Sequence, residues 1–551
     1  MRALIIGGVA GGATAAARLR RLDEHAEIII FERGEHISFA NCGLPYYVGD
    51  IITDKQSLLL QSPEGFGRRF NIDVRVLSEV ISIDRENKTV TVKDTKTKNT
   101  YTESYDKLII STGAEPIRPA IKGIDTDGIF TLRNVSDTLE IKNFIQNKKP
   151  TSAVVVGGGY IGVEMAENLA LAGLKVSLIE LSDHLIAPLD FEMAVHVHDY
   201  IESKGIKLYL NSGVREISEN GGKFTVSLDD TKIDCDMVIL SVGVSPDTKL
   251  ARDCGLKVNE RGAIIVNPNM LTSDQNIYAV GDAVEAVDFV TRRPAYVPLA
   301  GPANKQGRIA ADNICGIASS YTGTQGSSIL KLFDMTIAKT GINEAFAKLC
   351  EFDYDKVYLY SNSHADYYPG ATTMVIKVIF EKPTGKILGA QLIGFDGVDK
   401  RCDVLATVIR LGGTAHDLTQ LELCYAPPFG SAKDPVNMAG YVIENILTNK
   451  VKNFHWHDIE KLPKDGSVTL LDTRTRFEYN KGHIEGFINI PLDELRDRIN
   501  ELDKSKPVYV HCLSGYRSYI ACRILEGHGF ETYNLSGGYR LYHTVMKHKN
   551  R

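Results

Sequence analysis

Cys42 stands in the run Ser38-Phe39-Ala40-Asn41-Cys42-Gly43-Leu44-Pro45-Tyr46-Tyr47, with no second cysteine near it. A lone thiol cannot close a local disulfide, so redox chemistry at Cys42 takes its sulfur partner from outside the chain. Gly43-Leu44-Pro45 predicts a helix opening just after Cys42, and a helix N-terminus lowers a thiol pKa and makes thiolate available. A second thiol, Cys512, lies in Val508-Tyr509-Val510-His511-Cys512-Leu513-Ser514-Gly515-Tyr516-Arg517-Ser518, which reads as a strand, a Cys-x4-Arg loop and the start of a helix. Backbone N–H groups curling round Cys512 would stabilise its thiolate or a bound anion, and Arg517 is assigned to the same site. Cys235, Cys254, Cys315, Cys350, Cys402 and Cys522 have no such setting and read as packing residues.

Three strand-to-glycine turns position this chemistry. The second, Ala153-Val154-Val155-Val156 into Gly157-x-Gly159-x-x-Gly162, carries all three glycines of a dinucleotide-binding loop. The following strand ends in Glu180, at the separation expected of an acid that binds a ribose 2′-hydroxyl. Leu181-Ser182-Asp183 offers no base for a 2′-phosphate, so NADH is favoured over NADPH. The first turn keeps Gly7 and Gly12 but has Val9 at the middle position, and Glu32 restores the ribose acid. The third, Ile277-Tyr278-Ala279-Val280 into Gly281-Asp282, places a carboxylate at a strand end. Two dinucleotide units imply two nucleotide cofactors.

The 551 residues allow three to four domains. The reading is α/β: two Rossmann-like dinucleotide-binding domains, an α+β dimerisation domain and a C-terminal α/β domain. The first binding domain is discontinuous (1–114 and 248–323) and encloses the second (115–247). Long strands such as Thr373–Phe380 mark the α+β domain at 324–448, Lys450-Val451-Lys452-Asn453 marks a linker at 449–456, and residues 457–551 form the last domain. A net charge of -6 gives no footprint for nucleic acid or an anionic membrane. No apolar run approaches a membrane span, and Met1-Arg2 runs straight into a strand without a signal segment. Nine scattered cysteines argue against a secreted disulfide framework and for a reducing cytoplasm. No metal site is assigned.

These turns, with Ile110-Ser111-Thr112-Gly113-Ala114, resemble the flavoprotein disulfide reductases over roughly residues 1–447. The resemblance implies FAD at the first site (Gly7, Gly12, Glu32, Thr112, Gly113, Gly281), with Asp282 on its ribityl chain. It implies NADH at Gly157, Gly159, Gly162 and Glu180, with Tyr160 covering the flavin and Glu164 holding the nicotinamide carboxamide. Glutathione and lipoamide reductases carry two active cysteines; Cys42 alone resembles the one-cysteine branch of NADH peroxidases, NADH oxidases and coenzyme A-disulfide reductases. The peroxidases and oxidases carry a histidine in the first glycine loop, whereas this chain reads Gly8-Val9-Ala10-Gly11. That loop and Asn-Cys-Gly-Leu-Pro-Tyr are similar to coenzyme A-disulfide reductases. So are Ser363–Gly370 and Cys424–Pro428, which in that subfamily set two tyrosines, here Tyr367 and Tyr425, against the partner subunit's cysteine in a homodimer. Phenolic hydroxyls can protonate a leaving thiolate. The resemblance makes Ser38 and Asn41 substrate contacts, and Arg18, Arg21, Arg68, Arg69 and Lys433 are candidates for the coenzyme A phosphates.

Residues 457–551 resemble a rhodanese domain through the Cys512 loop, Leu470–Arg474, Gly482–Gly486, Ile488–Pro491 and Gly537–Tyr539. A phosphatase loop of the Cys-x5-Arg type is one residue longer, and the shorter loop favours sulfur. The resemblances together imply hydride flow from NADH through FAD to a Cys42 mixed disulfide with coenzyme A, with sulfane sulfur from a persulfide or polysulfide handled at Cys512. Two other readings are an NADH oxidase or peroxidase with a passenger rhodanese domain, and a redox sensor with Cys42 capped by coenzyme A.

Overall fold

Continuous apolar runs such as Ala3-Leu4-Ile5-Ile6 suit strands covered on both faces, and the computed structural model, which describes residues 1–549, places them in parallel sheets. The chain divides into two units: 1–185 with 202–326, and 186–201 with 327–551.

The first unit contains two five-stranded parallel sheets. One runs Ile277–Ala279, Lys107–Ile110, Arg2–Ile6, Glu27–Phe31, Asp73–Arg75. The strand that closes its edge comes from beyond residue 270, so the chain returns to the first sheet after building the second. The second sheet runs Lys207–Tyr209, Lys175–Ile179, Ser152–Val156, Met237–Leu240, Ile129–Thr131. Each central strand leads through a glycine turn into a helix, Ala10–Leu22 or Tyr160–Leu171, whose N-terminus faces the carboxyl end of its sheet.

The second unit holds a five-stranded antiparallel sheet, ordered Ser328–Leu332, Met335–Gly341, Ile387–Gly394, Thr373–Glu381, Tyr354–Asn362. It also holds a parallel sheet, ordered Asn453–Phe454, Thr532–Leu535, Val508–His511, Thr469–Asp472, Ile488–Asn489.

Two boundaries differ from the sequence reading. Residues 449–456 are not a free linker. Asn453–Phe454 is the edge strand of the C-terminal sheet, and Val451 is only 3% exposed. The sheet's exposed edge needs backbone partners, and Asn534 N and Ser536 N donate to the Lys452 and Phe454 carbonyls at 2.8 and 3.0 Å. Residues 186–201, read as part of the NADH-binding segment, belong to the second unit. Asp190 and Glu192 explain this: with Glu344 they surround the buried ammonium of Lys377 on the antiparallel sheet, at 2.6, 2.5 and 2.5 Å. The three carboxylates lie close enough to hold a cation, and that cation is the lysine.

Candidate active site

The two glycine loops are built alike. Gly7 and Gly157 have φ of +97° and +106°, and a Cβ on Gly12 or Gly162 would fall 1.9 or 1.8 Å from the Gly7 or Gly157 carbonyl. The fold therefore demands glycine at both ends of each loop. Middle positions differ. Gly159 has φ −74° and a Cβ there would meet nothing within 4 Å, so the protein leaves open space at the helix N-terminus, where a pyrophosphate would approach. Val9 has φ −99°, which any residue adopts, and this is why the first loop tolerates valine.

Each acid closes on its own loop. Glu32 accepts from Gly8 N and Gly34 N, both at 2.9 Å. Glu180 accepts from Gly158 N at 2.6 Å and Ser182 N at 2.8 Å. Carboxylate oxygens have lone pairs left after one bond each, so both acids can still receive ribose hydroxyls.

Around the first loop, Thr112 Oγ1 donates to the Asp247 carbonyl at 2.5 Å, and Gly113 turns the chain with φ +73°. Gly281 N donates to Gln306 Oε1 at 2.8 Å, which fixes the turn carrying Asp282. Burial raises the Asp282 carboxyl, against the lowering effect of Arg133 at 3.6 Å. The Tyr296 hydroxyl is buried without a hydrogen-bond partner among the described residues, and its acidity is weakened by burial and then by Asp282. An orphaned hydroxyl, a carboxyl near enough for its charge to act on that hydroxyl and a glycine cradle fit the polar demands of FAD. Arg133, Gln306 and Tyr296 escaped the sequence reading because none belongs to a motif.

Arg133 also reaches the cysteine segment. With its amide oriented to satisfy both ends, Asn41 donates to the Arg133 carbonyl at 2.9 Å and accepts from Nη1 at 3.0 Å. Ser38, at φ +46°, donates its N–H to the Gly8 carbonyl at 2.9 Å, so a strained residue ties the segment to the glycine loop. Cys42 is exposed, in the single turn Asn41–Gly43 that leads into the five-residue helix Leu44–Val48. The expectation of a lowered thiol pKa is corrected here. The protein around Sγ desolvates it and raises its pKa, and the Glu164 and Asp282 carboxylates raise it further, so one short turn of helix does not prevail. Glu164 lies on Tyr160–Leu171, one turn after Tyr160.

The basic candidates separate. Arg18 is committed to Asp312, Nε to Oδ1 at 2.7 Å, and is not a free phosphate ligand. Arg21, Arg68 and Arg69 are exposed at the last turns of Ala10–Leu22 and Pro63–Phe70. In the second unit Lys433 is exposed, and Tyr367 and Tyr425, 71% and 48% exposed, meet hydroxyl to hydroxyl at 2.9 Å.

In the C-terminal sheet, Cys512 ends the strand Val508–His511 and is 1% exposed. Its Sγ accepts from Gly515 N at 3.1 Å and Ser518 Oγ at 3.4 Å. Gly515, at φ +99°, turns the loop into the helix Tyr516–Gly527. Arg517 forks onto Glu478 at 2.8 and 2.7 Å, and this pairing holds Glu478 down to about 2. Tyr539 N donates to the Cys512 carbonyl at 2.8 Å, with Arg474 over the Tyr539 ring at 4.0 Å. The loop cradles the Cys512 sulfur by the neutral donors of Gly515 and Ser518, and the Arg517 guanidinium, though paired to Glu478, also interacts with that sulfur. Burial pushes Cys235, Cys402 and Cys522 up to about 12, as inert packing thiols require.

This fold and site define a pyridine nucleotide-disulphide oxidoreductase joined to a rhodanese-like domain. The chain belongs to that family: its model matches residues 1–307, its dimerisation-domain model residues 327–435, and the rhodanese-like model residues 456–544. Family membership implies FAD and a pyridine nucleotide. Among its relatives, coenzyme A disulfide reductase from Staphylococcus epidermidis is 39% identical over 439 residues, covering 80% of this chain and 98% of that protein. The crystal structure of reduced Bacillus anthracis CoADR-RHD matches with a TM-score of 0.97 and 50% identity, over 99% of this chain and 98% of its own. A NAD-dependent persulfide reductase from A. fulgidus matches with a TM-score of 0.92 and 36% identity, over 98% and 100%. Among the described residues no helix is long and apolar enough to cross a membrane.

Proposed function

We propose that this chain is an NADH-dependent reductase of coenzyme A disulfide and coenzyme A persulfide or polysulfide, with the rhodanese-like domain handling sulfane sulfur. The observation that carries the reading is that Cys42 is exposed and that all nine cysteines are free, so its disulfide partner comes with the substrate. The relatives named for coenzyme A disulfide and persulfide reduction support the same substrates. NADH is favoured over NADPH because Glu180 ends its strand as a carboxylate with no base at 181–183, where a 2′-phosphate would be repelled.

The Cys42 thiolate attacks the substrate S–S bond. A Cys42–S–S bond forms, the old bond breaks, and the departing thiolate takes a proton from the paired Tyr367 and Tyr425 of the partner subunit. FAD, when bound at Gly7, Gly12, Glu32 and Asp282, supplies the two electrons from NADH that cleave the mixed disulfide to two thiols. Asn41 and Ser38 hold the cysteine segment against the first loop. Glu164 and Tyr160 stand on the nicotinamide side. Arg21, Arg68, Arg69 and Lys433 are the cations offered to coenzyme A phosphates, and the pantetheine arm carries sulfur between Cys512 and Cys42. Nine free thiols suit a reducing cytoplasm.

The test is anaerobic NADH oxidation with coenzyme A disulfide, coenzyme A persulfide and polysulfide. Wild type should turn over all three and Cys42→Ser none; full activity in Cys42→Ser overturns the reading. Cys512→Ser should spare the disulfide reaction and slow turnover from sulfane donors.

A further inference from the structure

Glu478 is the third residue of the helix Arg476–Lys481 and is fixed there by its own cap. Its Oε2 accepts from Thr475 N and from Thr475 Oγ1, both at 2.9 Å, while that hydroxyl accepts from Glu478 N at 3.3 Å. From the Cys512 loop, Arg517 Nη1 donates to the same Oε2 and Nη2 to Oε1, at 2.8 and 2.7 Å. A bidentate fork of this kind neutralises the guanidinium and holds it in one plane. Arg517 also interacts with Cys512 Sγ, so it stays beside the sulfur while both terminal nitrogens face the carboxylate. The arginines next to Glu478 in the chain are committed as well. Arg474 forks onto Asp472 at 3.0 and 2.6 Å, and Arg476 reaches Glu494 at 2.7 Å. The Gly515 N–H and the Ser518 hydroxyl are directed at Sγ itself. Two neutral groups can serve a thiolate, whereas a sulfonate calls for a cation with free N–H groups. Phe477 and Tyr516, which precede the two paired residues, are exposed aromatics and offer apolar surface to an organic chain.

We propose that Glu478 selects the sulfur donor for Cys512: by holding both terminal nitrogens of Arg517 it turns away the sulfonate of thiosulfate and leaves the site to organic persulfides with an uncharged arm beside the sulfur. The Cys512 thiolate attacks the outer sulfur of R–S–SH. A bond forms between Cys512 Sγ and that sulfur, and the S–S bond of the donor breaks. Its electron pair leaves on the thiolate of R, and the proton stays on the transferred sulfur. With thiosulfate the same attack would release sulfite, and the sulfonate oxygens would find the nearby guanidinium already neutralised. Glu478 is a positioning residue acting through Arg517. Its role rests on the reading of Cys512 as an acceptor of sulfane sulfur.

The experiment follows the loading of Cys512 and needs no NADH. The full-length FAD-loaded enzyme, reduced with dithiothreitol and desalted, is mixed anaerobically with pantetheine persulfide or with thiosulfate. Samples are quenched with iodoacetamide, and mass spectrometry of the Cys512 peptide separates thiol from persulfide. The readout is the ratio of the two loading rate constants, thiosulfate over persulfide, because general damage to the loop lowers both and leaves the ratio alone. In wild type the ratio should lie well below one. Glu478→Gln should raise it about tenfold, the worth of one charged hydrogen bond. Adding Arg517→Met to Glu478→Gln should remove the rise. Sulfate should slow thiosulfate loading in Glu478→Gln and not in wild type. Equal loading of wild type from both donors, or an unmoved ratio in Glu478→Gln, overturns the proposal. A rise that survives Arg517→Met, or sulfate acting alike on both proteins, overturns the action through Arg517. Should Glu478→Gln fail to fold, Glu478→Asp keeps a capping acid with a shorter reach and should raise the ratio by a smaller factor, and an unmoved ratio there also overturns the proposal. Wild type that loads from neither compound overturns the sulfane-sulfur reading of Cys512 itself.

Discussion

Tyr367 and Tyr425 stand 58 positions apart in sequence, and their hydroxyls meet at 2.9 Å on an exposed face of the dimerisation domain. That hydrogen bond raises Tyr367 and keeps it protonated, as the proposed donation to a departing thiolate requires. On the proposed mechanism the two act as one donor. Tyr367→Phe and Tyr425→Phe should each lower kcat for coenzyme A disulfide by about 10²-fold, and the double variant should be little worse than either. Steady-state kinetics check this, and multiplicative single effects would mean that the hydroxyls work separately.

On the proposed reading, nicotinamide choice rests on Glu180, whose oxygens accept from Gly158 N and Ser182 N, and on the uncharged Leu181 beside it. Glu180→Ala with Leu181→Arg should move the kcat/KM ratio toward NADPH by about 10- to 100-fold, the worth of one charged hydrogen bond. Competing NADH and NADPH in one assay measures the ratio.

Lys377 is fully buried among Asp190, Glu192 and Glu344, with Lys356 also on Glu344 at 2.7 Å. Lys377→Met should cost about 3–5 kcal/mol, because it leaves buried carboxylates without their cation. Chemical denaturation of the second unit's transition checks this. Converting Asp190 and Glu192 to amides in the same background should recover part of the loss.

Burial holds His511 neutral in the folded protein, lowered to about 4, against the usual value of about 6.5 when unfolded. Between those values the unfolded chain binds a proton that the folded one refuses, so stability rises with pH. The contribution is complete above about 6.5 and is lost as pH falls toward about 4. Thermal unfolding across that window should show the slope in wild type and a shallower one in His511→Asn, while equal slopes would mean that His511 is not the linked group.

Much of this molecule was legible from local pattern. Gly157, Gly159, Gly162 and Glu180 follow one another within a single strand–turn–helix–strand unit, so spacing alone identifies what they build. The Cys512 loop is equally local, because a strand, a short turn and a helix N-terminus are all contiguous. The linker at 449–456 was misread because a two-residue edge strand has no periodicity to detect. It exists only because the Thr532–Leu535 edge needs a partner. The segment 186–201 was misplaced because its allegiance is set by Lys377, far away in sequence.

By itself the sequence determined that the chain has two dinucleotide loops, a cysteine with no second cysteine near it and another cysteine in a strand–turn–helix loop. Each is a short-range arrangement whose residue types and spacing are their own signature. Only the tertiary structure decided which charges these groups feel. Helix polarity predicted a lowered Cys42, yet desolvation by the surrounding protein, with the Glu164 and Asp282 charges, raises it. Arg18 looked free for phosphate, yet Asp312 holds it. Electrostatic influence falls off with distance in space, and distance in sequence does not measure it.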